Sequence, residues 1–164
     1  MKKILLIGCG HMGGALLDSW VNSKKYLLTV IDPIQNKIIK KKYNKKIQIF
    51  ANISSLNKSS KFDYIIFAIK PSDLKTVLDE LKNFKFSTKT VVISIIAGKK
   101  IKLFKKNFKN LNNFFRVMPN MPASIGKSMN CIVSNRTANK EIKNEVINLF
   151  SYSGKTHLLK NENQ

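Results

Sequence analysis

Three glycines near the amino terminus, Gly8, Gly10 and Gly13, have the spacing G-x-G-x-x-G that can receive the pyrophosphate of a dinucleotide. In such a turn the first glycine allows a tight bend, the second lets the main chain approach the phosphates, and the third lets helix and strand pack closely. The amino end of the following helix adds free N–H groups and the positive end of a helix dipole. The motif alone is a weak indication, so its flanks decide the interpretation.

The residues on both sides of the glycines fit a dinucleotide site. The apolar run Ile4–Ile7 predicts a buried strand before them, and an amphipathic pattern from His11 to about Asn22 predicts a helix after them. Asp32 ends a second apolar stretch about 20 residues after the last glycine, where such sites carry an acidic residue. The predicted site therefore contains Ile7, Gly8, Cys9, Gly10, His11, Met12, Gly13 and Asp32.

Asp32 bears on which dinucleotide binds. A carboxylate there can accept hydrogen bonds from both hydroxyls of the adenine ribose, each contributing about 1.5–3 kcal/mol. It would repel a 2′-phosphate by about 4 kcal/mol at roughly 4 Å and an effective dielectric constant of about 20. We therefore expect NAD(H) or NADP(H), with NAD(H) favoured, although Lys37 could offset the charge. The alternative is that Asp32-Pro33 is only a turn that ends a strand.

Short apolar runs alternate with helical patterns along the chain. This alternation predicts an α/β fold: a doubly wound, mostly parallel Rossmann-type sheet with helices on both faces. The buried runs Asp63–Ile69 and Thr90–Ile96 end in Lys70-Pro71 and Ala97-Gly98. Because open α/β sheets bind ligands at the carboxyl ends of their strands, the predicted site also includes Ala68, Ile69, Lys70, Pro71, Ile96, Ala97 and Gly98. We expect Ser72 to cap the next helix and Gly154 to end a later one.

The remaining reactive side chains predict no catalytic residue and no metal site. The side chains of Cys9 and His11 are expected to pack against the loop or the sheet. His157 lies in a late apolar stretch and is interpreted as a structural histidine. Cys9 and Cys131 are far apart in sequence, so neither a zinc pair nor a disulfide is expected, which favours a reduced, cytoplasmic location.

The charge of the chain is strongly positive. Thirty Lys and Arg face nine Asp and Glu, a net charge of +21, and nearly all of the excess is lysine. Such a charge can indicate binding to nucleic acid or membrane, or only a bias towards A/T-rich codons, which also encode Asn and Ile. We favour the bias and expect no specific nucleic-acid partner, because base-edge contacts are made above all by arginine. Ile4–Ile7 is too short for a signal peptide, and no apolar run approaches the length of a membrane span.

Taken together, several segments resemble pyrroline-5-carboxylate reductase. Residues 63–71 read Asp-Tyr-Ile-Ile-Phe-Ala-Ile-Lys-Pro and residues 92–98 read Val-Ile-Ser-Ile-Ile-Ala-Gly; they resemble the fourth and fifth strand segments of that family. The most discriminating segment, 116–123, reads Arg-Val-Met-Pro-Asn-Met-Pro-Ala and is followed by Gly126 and Met129. The resemblance implies hydride transfer from a nicotinamide ring to the C=N carbon of 1-pyrroline-5-carboxylate, which gives L-proline in proline biosynthesis.

The resemblance also implies site residues and a domain plan. It adds Asn52 and Asn120 to the cofactor site. The family commonly has a small or basic residue where Asp32 stands and often uses NADPH. It continues into a helical domain that binds the imino acid and forms the dimer, so we expect residues 1–160 to be the dinucleotide-binding domain. Residues 161–164, with Glu162 at an acidic position of the family, would begin the connection to the helical domain. A homo-oligomer is expected only of the full-length family, and this chain is expected to be weakly active or inactive alone.

Two other functions remain open. One is a different nicotinamide- or deazaflavin-dependent oxidoreductase with the same first domain, against which segment 116–123 argues. The other is a non-catalytic module that binds nucleotides or nucleic acid through its positive charge.

Overall fold

The computed structural model describes residues 1–43 and 46–162, and within them it has eight β-strands and five α-helices. In chain order the elements are β1 (Lys2–Ile7), α1 (His11–Trp20), β2 (Tyr26–Ile31), α2 (Asn36–Tyr43), β3 (Gln48–Phe50), β4 (Tyr64–Phe67), α3 (Leu74–Leu81), β5 (Val91–Ser94), α4 (Ile101–Asn107), β6 (Asn113–Met118), β7 (Ser128–Ser134), α5 (Lys140–Ser151) and β8 (Gly154–Leu158).

All eight strands form one sheet in the order β3-β2-β1-β4-β5-β6-β7-β8. Every neighbouring pair is parallel except β6 and β7. The chain runs from β1 outward to β3 and then returns to place β4 on the other side of β1. This reversal is the topological switch point at which open α/β sheets bind ligands. The predicted α/β fold with a doubly wound, mostly parallel sheet is confirmed.

The apolar residues of the central strands pack on both faces of the sheet. In β1, Ile4 and Leu6 face one core and Leu5 and Ile7 face the other, as alternation in a strand requires. The first core contains the buried faces of α1 and α5, and the second contains those of α3 and α4. Both faces of the inner strands are therefore dry, which is why these strands read as continuous apolar runs.

Two strands are shorter than their apolar runs. The run Asp63–Ile69 contributes β4 only over Tyr64–Phe67, and the run Thr90–Ile96 contributes β5 only over Val91–Ser94. Each strand ends where its pairing with its neighbour ends: Phe67 and Ser94 form the last pair between β4 and β5. Apolar residues that follow the paired segments, such as Ile96, lie in loops but their side chains are still buried.

Two predicted helix ends are wrong. Asp73, not Ser72, precedes α3, and no side chain caps that helix; the Ser72 hydroxyl instead donates to Asp73 Oδ1 at 2.9 Å. Gly154 does not end α5, which has Tyr152 as its C-cap; it begins β8 with φ of 147°.

The far end of the chain is described up to Glu162, so residues 163 and 164 of the predicted connection lie outside the described residues. Among the residues that are described, none of the helices combines the length and the apolar character that crossing a membrane requires.

Candidate dinucleotide-binding site

The glycine turn is closely packed on its inner side and open on its outer side. Gly8 has φ of +91°, and a Cβ there would lie 2.5 Å from the Ala68 carbonyl oxygen. A Cβ at Gly13 would lie 2.5 Å from the carbonyl oxygen of Gly8. At Gly10, by contrast, a Cβ would meet no atom within 4 Å. Two of the glycines are therefore required by the packing of β1, β4 and α1, whereas the position of Gly10 faces free space.

The start of α1 lies at this open side. Gly10 is its N-cap, and no side-chain hydrogen bond caps the helix. The first N–H groups of a helix lack partners within the helix and carry the positive end of its dipole. The main-chain N–H groups beside Gly10 are thus of the kind that can bind an anion such as a pyrophosphate.

The two reactive side chains of the turn differ in burial. Cys9 is buried, as expected, and burial together with the charge of Asp32 raises the pKa of its thiol to about 12. The thiol is thus neutral near pH 7 and is not a nucleophile. His11, the first residue of α1, is exposed, so the expectation that it packs against the loop or sheet is wrong. Met12, the second residue of α1, is half-buried.

Asp32 directly follows β2, next to the turn, and is buried, with 7% of its surface exposed. Its Oδ2 accepts a hydrogen bond from the Cys9 amide at 2.7 Å, and its Oδ1 accepts from the amides of Ile34 and Gln35 at 2.9 and 2.6 Å. A carboxylate offers about four lone-pair positions. The main chain uses three of them, so the structure leaves capacity for one ribose hydroxyl rather than for the two that we expected.

The loops after β4 and β5 lie at the same edge of the sheet as the glycine turn. The Ala68 amide donates to the Ile7 carbonyl at 2.8 Å, which joins the end of β4 to the beginning of the turn. Beyond it, Ile69 is half-buried and Lys70 and Pro71 are exposed. After β5 the side chain of Ile96 is in the core, while Ala97 and Gly98 are exposed, with φ of +72° at the glycine.

The two asparagines implied by the family resemblance lie at opposite sides of this edge. Asn52 follows β3, is exposed, and begins a short 3-10 helix, Ile53–Ser55. Asn120 follows β6; its side-chain oxygen accepts from the Met129 amide at 2.9 Å, and its own amide donates to the Ser128 hydroxyl at 3.2 Å. The 3-10 helix that begins directly after Asn120 packs beside α1, which brings segment 116–123 to the glycine turn.

Two clefts lie along α3 and α4. The larger, of about 600 Å³, lies between the carboxyl ends of the two helices, at the edge of the sheet opposite to the glycine turn. The smaller, of about 290 Å³, is lined by Pro71 and Lys99 and so reaches the border of the candidate site.

Two further residues, His157 and Glu162, lie near the carboxyl end of the chain. His157 is exposed on β8, so its interpretation as a structural histidine inside an apolar stretch is wrong. Glu162 accepts a hydrogen bond from the Ile101 amide at 3.0 Å and lies 3.9 Å from Arg116 Nη1. No local pattern in the sequence predicts this link, because the partners are far apart along the chain.

Comparisons with known proteins agree with this geometry. Residues 3–98, more than half of the chain, match the family model described as NADP oxidoreductase coenzyme F420-dependent. Over 96% of its length the chain is similar to the pyrroline-5-carboxylate reductase of Escherichia coli (strain K12), at 28% identity over 161 residues. The match covers 59% of that relative.

Two solved reductase structures share the fold. One, a pyrroline carboxylate reductase of Plasmodium falciparum with NADP bound, is 25% identical with a TM-score of 0.78, over 97% of this chain and 58% of that one. The other, a pyrroline-5-carboxylate reductase of Coxiella burnetii, is 25% identical with a TM-score of 0.83, over 98% of this chain and 60% of that one. The chain thus spans about three fifths of the length of these relatives.

The likeness to pyrroline-5-carboxylate reductases predicted from segments 63–71, 92–98 and 116–123 is confirmed, as is the oxidoreductase class. The chain belongs to the oxidoreductase family described as NADP oxidoreductase coenzyme F420-dependent.

Proposed function

We propose that this chain binds a nicotinamide dinucleotide at the glycine turn and forms the cofactor-binding part of a pyrroline-5-carboxylate reductase. The observation that carries the proposal is the free space at Gly10, beside the uncapped start of α1. The donors there are main-chain N–H groups, which suit the two phosphates of a dinucleotide. The similarity to the reductases over 96% of the chain supports the reaction class.

The proposed cofactor contacts follow the carboxyl edge of the sheet. The adenosine side lies towards β2 and β3, and the nicotinamide side towards β4, β5 and β6. The contacts are Ile7, Gly8, Cys9, Gly10, His11, Met12, Gly13, Asp32, Asn52, Ala68, Ile69, Lys70, Pro71, Ile96, Ala97, Gly98 and Asn120. When bound, the reduced nicotinamide would supply the hydride for the C=N carbon of the imino acid. The chain's own part is to hold and orient the cofactor.

For the cofactor, we propose a modest preference for NAD(H). The charge of Asp32 opposes a 2′-phosphate, and one of its lone pairs is left for a ribose hydroxyl. The exposed Lys37 in α2 acts in the other direction. Dissociation constants for NADH and NADPH, measured side by side by calorimetry, test the preference; clearly tighter NADPH would contradict it.

Gly10→Ala tests the site itself. The backbone at Gly10 is extended, with φ of −67° and ψ of −156°, and the new methyl group meets no atom of the chain, so the melting temperature should fall only by the small cost of an alanine at a helix N-cap. A pyrophosphate on the open side would meet that methyl group, and we expect dinucleotide binding to weaken at least about tenfold, which corresponds to about 1.4 kcal/mol. Gly14→Ala is the matched control because its Cβ makes only an ordinary contact at 3.7 Å. Unchanged binding by Gly10→Ala would overturn the proposed site.

We further propose that residues 1–160 are the dinucleotide-binding domain and that the residues from 161 onward begin a connection to a helical domain. We also propose that the protein acts in the cytoplasm and has no specific nucleic-acid partner. The resemblance implies that a helical domain binds the imino acid and forms the homo-oligomer, and on that basis residues 1–164 alone should reduce 1-pyrroline-5-carboxylate slowly or not at all. Oxidation of NADH or NADPH in the presence of the imino acid measures this. Turnover equal to that of the Escherichia coli relative would contradict the dependence on a further domain.

A further inference from the structure

A single carboxylate, Glu162, joins two segments of the chain that are remote in sequence. Its Oε1 accepts a hydrogen bond from the Ile101 amide at 3.0 Å. The same oxygen lies 3.9 Å from Nη1 of Arg116, which lies in β6. The side chains of Arg116 and Glu162 are only 17% and 20% exposed, so water screens this contact less than it screens an ion pair on the surface.

The contact with Ile101 holds the end of the loop between β5 and α4. At its beginning, this loop is held by hydrogen bonds from the Ile95 amide to the Phe67 carbonyl at 3.0 Å and from the Ile96 amide to the Ser94 hydroxyl at 3.2 Å. At its end, Lys100 is the N-cap of α4 and its side chain makes no capping hydrogen bond. The Ile101 amide thus has no acceptor from the side chain before it. Glu162, which is distant in sequence, provides one.

The contact with Arg116 is a second interaction that holds the Glu162 carboxylate in place. Arg116 Nε is buried and has no hydrogen-bond partner among the residues that the structure describes. A guanidinium with an unpaired buried nitrogen depends on a nearby anion, because removing one partner of a shielded pair leaves the other charge uncompensated. Loss of Glu162 would thus release both the loop end and the side chain of Arg116, the first residue of segment 116–123.

We propose that Glu162 is a positioning residue for the nicotinamide half of the cofactor site, acting through the loop of residues 95–100. This role rests on the proposed dinucleotide binding, because Ala97 and Gly98 are the proposed contacts in that loop. The adenosine half lies with Asp32 on the other side of β1, away from the two groups that Glu162 holds. Glu162 should therefore affect one half of the cofactor and leave the other unaffected.

The test compares a whole cofactor with its adenosine half. NADH and ADP are titrated by calorimetry into the 164-residue chain and its variants Glu162→Ala and Glu162→Gln, with Glu80→Gln, an exposed carboxylate of α3, as the matched control. For Glu162→Ala we expect the NADH dissociation constant to rise about tenfold, as fits the loss of one hydrogen bond to a charged group. The constant for ADP should stay within about twofold. Glu162→Gln, which keeps an oxygen for Ile101 but not the charge beside Arg116, should lie between.

Amide hydrogen exchange without any nucleotide gives an independent measurement. In Glu162→Ala and, more weakly, in Glu162→Gln, the Ile101 amide and the loop of residues 95–100 should exchange faster than in the unchanged chain, while the glycine turn should not change. Equal weakening of NADH and ADP would reveal a general structural role and overturn the proposal. Unchanged NADH binding, or unchanged exchange at Ile101, would overturn it too. If the unchanged chain binds neither nucleotide, the proposed function itself fails, and this role fails with it.

Discussion

At the scale of single residues, the carboxylate of Asp32 accepts hydrogen bonds from the main chain even when no ligand is bound. Its carboxylate links the glycine turn, through the Cys9 amide, to the segment after β2, through the amides of Ile34 and Gln35. An acceptor that receives three N–H groups in a buried place is difficult to replace by a group that donates. The acidic residue at the end of β2 thus shapes the turn in which the phosphates are proposed to lie.

Asp32→Asn should therefore destabilise the chain even without cofactor. The amide group can offer only one oxygen, so at least one of the three main-chain donors loses its acceptor, at a cost of about 1–3 kcal/mol. The measurement is urea unfolding followed by circular dichroism. Asp73→Asn, an exposed carboxylate at the start of α3, is the control and should change the midpoint little. An equal effect of the two substitutions would show that the Asp32 contacts contribute nothing to stability.

The two cysteines should differ strongly in reactivity. Cys9 is buried and its thiol pKa is raised to about 12, whereas Cys131 is only half-buried. At pH 7.5 iodoacetamide should therefore modify Cys131 first, as peptide mass spectrometry would show. Because the pKa of Cys9 in the folded chain is above the ordinary thiol value near 9, the stability that its neutral form provides is complete below about pH 9 and is lost as the pH rises towards 12. Modification of both cysteines at equal rates would contradict this assignment.

The sequence predicts those residues of the site whose roles depend on local spacing. The glycines and Asp32 belong to one strand–turn–helix–strand unit, so their proximity follows from the pattern. The contact of Glu162 with Ile101 cannot be predicted in this way, because it depends on where the segment after β8 returns along the sheet. The exposure of His11 and His157 was also missed, since apolar neighbours in sequence do not reveal which face of an element is covered.

At the scale of elements, close approach of backbones fixes how β1, α1 and β4 meet. Gly13 lies in the first turn of α1 directly against the Gly8 carbonyl, whereas the next residue, Gly14, is in ordinary contact with Cys9. Both glycines are in a helix, where glycine is less favourable than alanine by about 0.5–1 kcal/mol. Substitutions at Gly13 therefore report mainly on close packing, whereas substitutions at Gly14 report mainly on helix propensity.

Gly13→Ala and Gly14→Ala should change stability in opposite directions. At Gly13 the methyl group would lie 2.5 Å from the Gly8 carbonyl oxygen, and the strain of overpacking costs about 1–3 kcal/mol. At Gly14 the nearest atom is 3.7 Å away, so the gain in helix propensity of about 0.5–1 kcal/mol should dominate. Urea midpoints of the two variants are compared with that of the unchanged chain. A stabilised Gly13→Ala would show that α1 can move away from β1 without cost.

The edge of the sheet at β7 and β8 shows which part of the fold local patterns do not determine. Gly154 was expected to end a helix, but its φ of 147° and its position against Ser128 place it in the first pair of the β7–β8 ladder. Asn130, fully buried in β7, donates to the carbonyls of Phe150 and Lys155 at 3.1 Å and thereby fixes the passage from α5 to β8. These contacts depend on how distant strands pair, so no local pattern predicts them. The inner strands can be predicted because burial on both faces makes their sequences continuously apolar.

At the scale of the whole molecule, the charge is far from balanced by ion pairs. Three of the four ion pairs found among the described residues join side chains that are about one third or more exposed, and such pairs contribute little to stability. Most of the described lysines are exposed to solvent. A net charge of +21 on 164 residues favours expansion of the folded chain through self-repulsion.

Salt should consequently stabilise this chain. The Debye length falls from about 30 Å at 0.01 M ionic strength to about 10 Å at 0.1 M, so repulsion between distant lysines is screened over this range. We expect the melting temperature, measured in sodium chloride from 0.01 to about 0.3 M at constant pH, to rise over that range. Retention on DNA should fall over the same range and show no preference between unrelated sequences, because phosphate contacts alone release counterions without reading bases. A melting temperature that falls with salt would contradict the idea that repulsion between lysines lowers stability. Strong retention that survives about 0.3 M salt for one DNA sequence only would show that the lysines form a specific nucleic-acid site.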